Sequence, residues 1–184
     1  YRHVANIVII AKSQFALPRV EALFLNNWEI GPLVHLTSGA PFTVTGGQDN
    51  SLTDVGNDRP NLTTGAAIYT RLALRSATGA ANRGYLVPAS FTQIPTSAFG
   101  GYGNIGRNSF RGLPQYQVDA QISRIFPIHE RLNAALRLEA FNLLNHPNFA
   151  TPDAKLTDST FGQISALASG QQARVFQGSV KFTF

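Results

Sequence analysis

The sequence has no cysteine and no methionine, little charge and no long apolar run. Without cysteine there is no disulfide framework, no thiolate nucleophile and no cysteine-ligated metal. Charged residues occupy 14% of the 184 positions, where an ordinary soluble domain carries about 25%. The longest apolar stretch, residues 7–11, falls far short of the roughly 20 residues of a spanning helix. Lys and Arg outnumber Asp and Glu by 15 to 10, but no two basic residues are adjacent. The positive charge is scattered and forms no phosphate-binding stripe, so nucleic acid is not an expected partner. A 43% hydrophobic content excludes a disordered chain. The length fits one domain. The missing methionine and a start at Tyr1-Arg2-His3 inside an apolar pattern lead us to expect a piece of a larger protein.

What is present is a period of two. From 116 to 126 the even positions read Tyr116, Val118, Ala120, Ile122, Arg124 and Phe126, while Gln117, Asp119, Gln121 and Ser123 alternate with them. After a short turn at 127–131, Leu132, Ala134, Leu136, Leu138 and Ala140 alternate with Asn133, Ala135, Arg137 and Glu139. This predicts a hairpin with one apolar and one polar face. If Phe126 faces Leu132, even meets even and both apolar faces coincide; a one-residue slip would set Leu against Gln or Asp. In that register Arg137 faces Gln121 with Asp119 on the diagonal; two residues closer, it faces Asp119 directly. The same alternation predicts strands over 176–184 and 28–37, and the Val- and Ile-rich 1–12 is a further strand without a clear orientation.

Residues 46–115 are rich in Gly, Asn, Asp, Ser, Thr and Pro, an unusual length for a connection without elements of its own. They are either a large functional loop or a region with hidden elements; 68–75 reads equally as a strand or a helical turn. Segments of 10–13 residues are longer than globular strands and suit tilted barrel strands. Short and long connections alternate, as when turns face one compartment and loops the other.

Several phrases resemble the C-terminal part of TonB-dependent outer-membrane receptors, closest to the Oar-like group with an N-terminal carboxypeptidase-regulatory-like domain. They are Thr37-Ser38-Gly39-Ala40-Pro41-Phe42-Thr43-Val44, Asp49-Asn50-Ser51-Leu52, Gly56-Asn57-Asp58-Arg59-Pro60-Asn61, Gly103-Asn104-Ile105-Gly106-Arg107-Asn108 and Arg111-Gly112. The most distinctive is Arg137-Leu138-Glu139-Ala140-Phe141-Asn142-Leu143-Leu144-Asn145-His146-Pro147-Asn148-Phe149.

The resemblance implies an all-β fold: an antiparallel meander of about five strands, the C-terminal segment of a transmembrane β-barrel with long surface loops. The whole chain, 1–184, then belongs to the barrel, with 46–115 extracellular. It further implies a cell outer membrane location in a Gram-negative bacterium and active import of a nutrient. The plug and the TonB-binding segment would lie outside this chain. Phe176, Val180, Phe182 and Phe184 resemble the signal read by the barrel-assembly machinery. Asp119, Gln121, Arg137, Glu139 and Lys181 are lumen-facing candidates. Asp49, Asn50, Asn57, Asp58, Arg59, Arg107 and Asn108 are surface-loop candidates. The implied partners are membrane lipid, the assembly machinery, the TonB complex through the plug, and an unnamed small-molecule, oligosaccharide or peptide ligand.

Other chemistry finds little support. Residues 101–106 match G-x-G-x-x-G, but no helix start follows, and Phe126 and Pro127 stand where a dinucleotide site needs an acid. Asp49, Asp54 and Asp58 are oxygen-rich but lack EF-hand spacing, leaving open a calcium loop of another kind. His3, His35, His129 and His146 are not at ligand spacing, and no G-x-S-x-G elbow occurs. No enzymatic activity and no cofactor are expected. Arg124, the one charge on the apolar row, should sit near an interface, its head reaching the headgroups. A small self-contained barrel and a soluble all-β binding module are the alternatives.

Overall fold

The structure is a computed structural model that describes residues 1–54, 56–70, 84–95, 100–129 and 132–184. These form two units. The sheet unit holds residues 3–37, 115–148 and 170–184; the loop unit holds 1–2, 38–114 and 149–169.

The sheet unit is an antiparallel meander. Its strands are β1 (Val4–Val8), β2 (Ala11–Lys12) and β3 (Trp28–Thr37), then, beyond the loop unit's short strands, β8 (Gln115–Pro127), β9 (Asn133–Phe141) and β10 (Val175–Thr183). The order is β1-β3-β8-β9-β10, with β2 also on β3. This agrees with the expected all-β meander of about five long strands, because β1 and β2 are one strand interrupted. Both keep the same register on β3, Val8 opposite Leu33 and Ala11 opposite Ile30. Between them Ile9 donates to the Pro32 carbonyl at 3.2 Å, but Pro32 has no N–H to return, so the ladder lapses there. A strand's N–H and C=O point to the same side, so the lapse is confined to the β1 edge and β3 pairs β8 over its whole length.

The parity argument holds and the register needs correction. Ala120 faces Ala140 and Phe126 faces Ala134, two residues from the expected Phe126–Leu132 pair. The turn is the cause: Ile128 and His129 N–H both donate to the Leu132 carbonyl, and Leu132 N–H returns to His129, which takes Leu132 out of the strand. Even rows still meet, so Trp28, Ile30, Val34 and Leu36, Val118, Ala120 and Ile122, Leu136 and Leu138, and Val180 and Phe182 share one face. The barrel resemblance implies strands over 28–45 and 132–145, and both end sooner: β3 stops at Thr37 and β9 at Phe141.

Residues 13–27, which show no sequence pattern, contain a helix, α1 (Arg19–Leu25). Pro18 precedes it in extended conformation, suited to an N-terminal flank. Asn27 at φ 66° ends it, and the Asn26 amide accepts from Phe15 N–H at 2.8 Å and donates to the Phe15 carbonyl at 3.0 Å.

The loop unit decides between the two readings of 46–115 in favour of hidden elements. It contains paired short strands, β4 (Pro41–Phe42) with β7 (Phe110–Arg111) and β5 (Asn61–Leu62) with β6 (Phe91–Thr92). A 3-10 turn at Pro88–Ser90 precedes β6. Phe42, Val44, Tyr85, Leu86, Phe91, Ile105, Phe110, Phe161 and Ile164 make its buried core. The rings of Phe91 and Phe161 stand edge to face at 5.3 Å, and those of Phe91 and Phe110 at 5.5 Å. The second long connection is stitched into the first: Thr45 N–H donates to Ala154 and Leu156 N–H to Thr45. Two glycines permit backbone contact that no other residue allows. A methyl group on Gly39 would overlap the Gly112 carbonyl, and one on Gly103 the carbonyls of Arg59 and Pro60. Residues 71–75 of the ambiguous segment lie outside the described residues; Ile68 to Thr70 are extended, with Tyr69 bridged to Leu86.

Candidate functional site

Three places in the chain gather polar side chains: the second face of the sheet, the ends of its strands, and the loop unit.

Alternation carries Asp119, Gln121, Arg137, Glu139 and Lys181 to one face of the sheet. Gln121 faces Glu139, and Lys181 faces Ala135. Arg137 faces Ser123 and Ser179 and pairs with Glu139 of its own strand at 2.7 Å. The expected proximity of Arg137 to Asp119 is therefore corrected, as a consequence of the two-residue register change. Asp119 instead accepts from Gln117 at 2.9 Å and from Asn142 N–H at 2.8 Å. Lys12 and Glu29, neighbours on the same face, pair at 3.0 Å. Phe176, Val180 and Phe182 share the opposite, apolar face of β10, and Phe184 follows its end; all four are exposed.

The phrase Asn142 to Asn148 acquires a role that periodicity does not reveal. Asn142, at φ 50° and buried, donates to the carbonyls of His146 and Gln172 and accepts His146 N–H. Asn148 accepts from Tyr116 N–H and donates to the Tyr116 carbonyl, both at 3.0 Å, so its amide imitates a neighbouring strand. It also donates to Gln171 at 2.8 Å, and Asn145 accepts Arg174 N–H at 3.1 Å. His146 stacks on Tyr116 with centroids 3.8 Å apart. These side chains supply partners for backbone groups where β8, β9 and β10 lose their ladders.

In the loop unit, carboxylates organise turns. Asp49 accepts N–H bonds from Thr53 and Asp54, with Ser51 and Thr53 hydroxyls adding to them. The Thr53 N–H above all holds its carboxyl below the usual carboxylate range, against some desolvation. Asp58 is buried and accepts Ser51 N–H at 2.7 Å and the Ser51 hydroxyl at 2.8 Å. Asn50 is buried and donates to Ile94. Among the described residues no group of three or more His, Asp or Glu is placed to hold a metal ion, so the open calcium reading gains no site. Asn57 and Arg107 are exposed and Arg59 half-buried; Asn108, at φ 54°, receives and returns a bond to Thr43. Gly103 and Asn104 of the G-x-G-x-x-G phrase are structural: Gly103 N–H donates to Arg59, and Asn104 pairs with both backbone groups of Leu62.

Beside them lies a groove of about 600 Å³ with Leu62, Ile68, Ile105 and Phe110 as its apolar part and Thr63, Thr64, Asn104 and Ser109 as its polar part. Among the described residues no titratable side chain lines it, so these offer neither an acid–base pair nor an activated nucleophile. Nearby Tyr85 is pushed up to about 12, first by burial and then by Tyr69; its hydroxyl donates to the Arg111 carbonyl at 2.8 Å.

Residues 3–177 match the family model of the outer membrane beta barrel domain. The chain belongs to this family. Comparison with curated proteins and with solved structures finds no match. As an outer membrane β-barrel domain the chain is located in the cell outer membrane, and domains of this family are typically non-enzymatic. In such a domain one row of each strand meets lipid and the alternate row meets the interior, which accounts for an apolar row that holds a single charge, Arg124, beside a row that gathers the polar side chains.

Proposed function

We propose that the domain is the C-terminal wall of a TonB-dependent receptor that imports a nutrient, with the loop unit contributing to ligand capture. The observation that carries this reading is the asymmetry of the connections. β8 and β9 join through a tight turn at one end of the sheet, while at the other end β3 leads to β8, and β9 to β10, through the long segments that build the loop unit. The shorter connections on one side, the β8–β9 turn and 13–27 with its helix, and far longer loops on the other are the arrangement of a receptor that meets its ligand at the cell surface. The phrases shared with TonB-dependent receptors support the same reading.

In it, Asp119, Gln121, Arg137, Glu139 and Lys181 face the lumen, and the even row faces lipid. Phe176, Val180, Phe182 and Phe184 present the C-terminal signal to the assembly machinery. The TonB complex acts through a plug. The uncharged groove suits a neutral ligand with both apolar and hydroxyl groups. The test is uptake of labelled siderophores, oligosaccharides, peptides and cobalamin by cells carrying the whole receptor, with and without TonB. Accumulation of one class that disappears without TonB is expected. Uptake indifferent to TonB overturns the import mechanism.

A further inference from the structure

We propose that α1 is a membrane-interface anchor, lying along the phospholipid headgroup boundary at the end of the sheet that carries the β8–β9 turn. The inference rests on the lipid-facing reading of the even row and extends it to a segment outside the strands.

Two side chains of that row hold the helix. Trp28 Nε1 donates to the Phe24 carbonyl at 2.9 Å, and the Arg124 guanidinium donates to the Leu23 carbonyl. Trp28 and Arg124 face each other on the apolar row. The last-turn carbonyls of α1 carry the negative end of the helix dipole, so they complement the one positive charge in the row. Arg124 is 8% exposed, its guanidinium between the rings of Trp28 and Phe126 at 5.1 and 4.6 Å. The expected extension of Arg124 toward headgroups is thus corrected: one guanidinium N–H is held by the helix carbonyl and the ring faces take up the charge in place, while Nε is buried without a hydrogen-bond partner.

The apolar side chains of α1 turn outward. Val20, Leu23 and Phe24 are spaced three and four residues apart, hence on one stripe, and are 71, 59 and 63% exposed. Phe15, tied to the helix end through Asn26, is exposed as well. A seven-residue helix is too short to persist on its own propensity. It is held here by polar bonds made on its inner side, while its apolar stripe continues a surface that meets acyl chains. Trp28, at the end of its strand, occupies the level where aromatic residues concentrate at a bilayer boundary. An occupant with headgroups outside and acyl chains inside fits this continuity.

The absence of native cysteine allows single-cysteine labelling without background. The full chain is folded into phosphatidylcholine vesicles with an environment-sensitive fluorophore on Phe24→Cys, on Ile30→Cys in the apolar row, or on Tyr102→Cys in the loop unit. Bromine on the acyl chains should quench the Ile30 and Phe24 labels, the latter most with bromine near the headgroup. Aqueous iodide should quench only the Tyr102 label. The sole tryptophan, Trp28, gives a label-free measurement on the unmodified chain. Its emission should be blue-shifted and bromolipid-sensitive, and Leu23→Glu with Phe24→Glu should reverse both. If the Ile30 label is lipid-quenched while the Phe24 label is iodide-quenched, the anchor is overturned and the membrane reading stands. Shielding of the Phe24 label from both quenchers means a protein covers α1, which also overturns the anchor. Failure of bromolipid to quench Ile30 removes the membrane reading and the anchor with it.

Discussion

The loop unit and the sheet unit are built from the same residue types and bury them in opposite ways. Phe42, Leu86, Phe91, Phe110 and Phe161 converge in the loop unit until water is excluded, whereas among the described residues of the sheet unit Ala140 alone is a buried apolar residue. Ile30, Leu138, Phe176, Val180 and Phe182 all stand exposed on one row. The hydrophobic effect acts on both, since removing apolar area from water is favourable wherever it goes. The loop unit satisfies it with its own chain, and the sheet delegates it to a surrounding phase. A residue's exposure therefore means different things in the two units: in the first it marks contact with water, on the apolar row of the second contact with lipid.

Four measurements would break or sharpen this contrast. The largest effect is a change of solvent. In buffer without detergent the full chain should aggregate through the apolar row and the edges β1 and β10, which offer unpaired backbone groups to other chains. In micelles it should stay dispersed. A monodisperse, detergent-free monomer by light scattering would end the comparison.

Next come truncations of equal chemistry and opposite setting. In micelles, Phe91→Ala should cost about 3–5 kcal/mol of loop-unit stability in urea titrations, since it empties a packed core. Leu138→Ala should cost the sheet only about 0.5 kcal/mol, as an exposed position. Equal losses would show that the sheet row is packed against protein.

Asn142→Ala should cost about 1–3 kcal/mol, because it removes three hydrogen bonds that tie the end of β9 to the His146 and Gln172 backbone. Hydrogen exchange should quicken at 142–146 and 171–174 and remain slow at the centre of β8. Uniform acceleration along β8 would give Asn142 a role in the whole sheet.

The smallest effect concerns Tyr85. Its phenol is held protonated up to about 12, against 10 for the unperturbed group. A raised folded value gives stability that is whole below pH 10 and is lost as pH rises through about 12. Loop-unit urea midpoints should fall across that window, and Tyr85→Phe should flatten the fall. An unchanged slope would place the alkaline sensitivity elsewhere.

How much the sequence discloses follows the same division. A strand between two media must alternate, so β3, β8, β9 and β10 are legible from their period, and parity alone orients every row. The register is not, because it depends on Leu132 bonding back into the turn. In the loop unit no period exists: Phe42 and Phe161, more than a hundred residues apart, belong to one core through the intervening rings of Phe110 and Phe91. Helix α1 is hidden because it is one short stripe with no side-chain cap. Asn50 and Asp58, surface-loop candidates by the resemblance, are taken up by bonds within the loop unit, to Ile94 and Ser51. The shared phrase at 137–149 marks the site correctly as special without disclosing that its amides finish the sheet.

Those amides also set how the domain bears load. A pull that separates residue 148 from residue 170 reaches Asn148–Gln171, His146–Gln171, Asn142–Gln172 and Asn145–Arg174 before it reaches the first rung at Phe141–Val175. They would yield ahead of the ladder, as a fuse does. Tension from a tugged ligand would then be spent at the rim, leaving the strands of the wall in step.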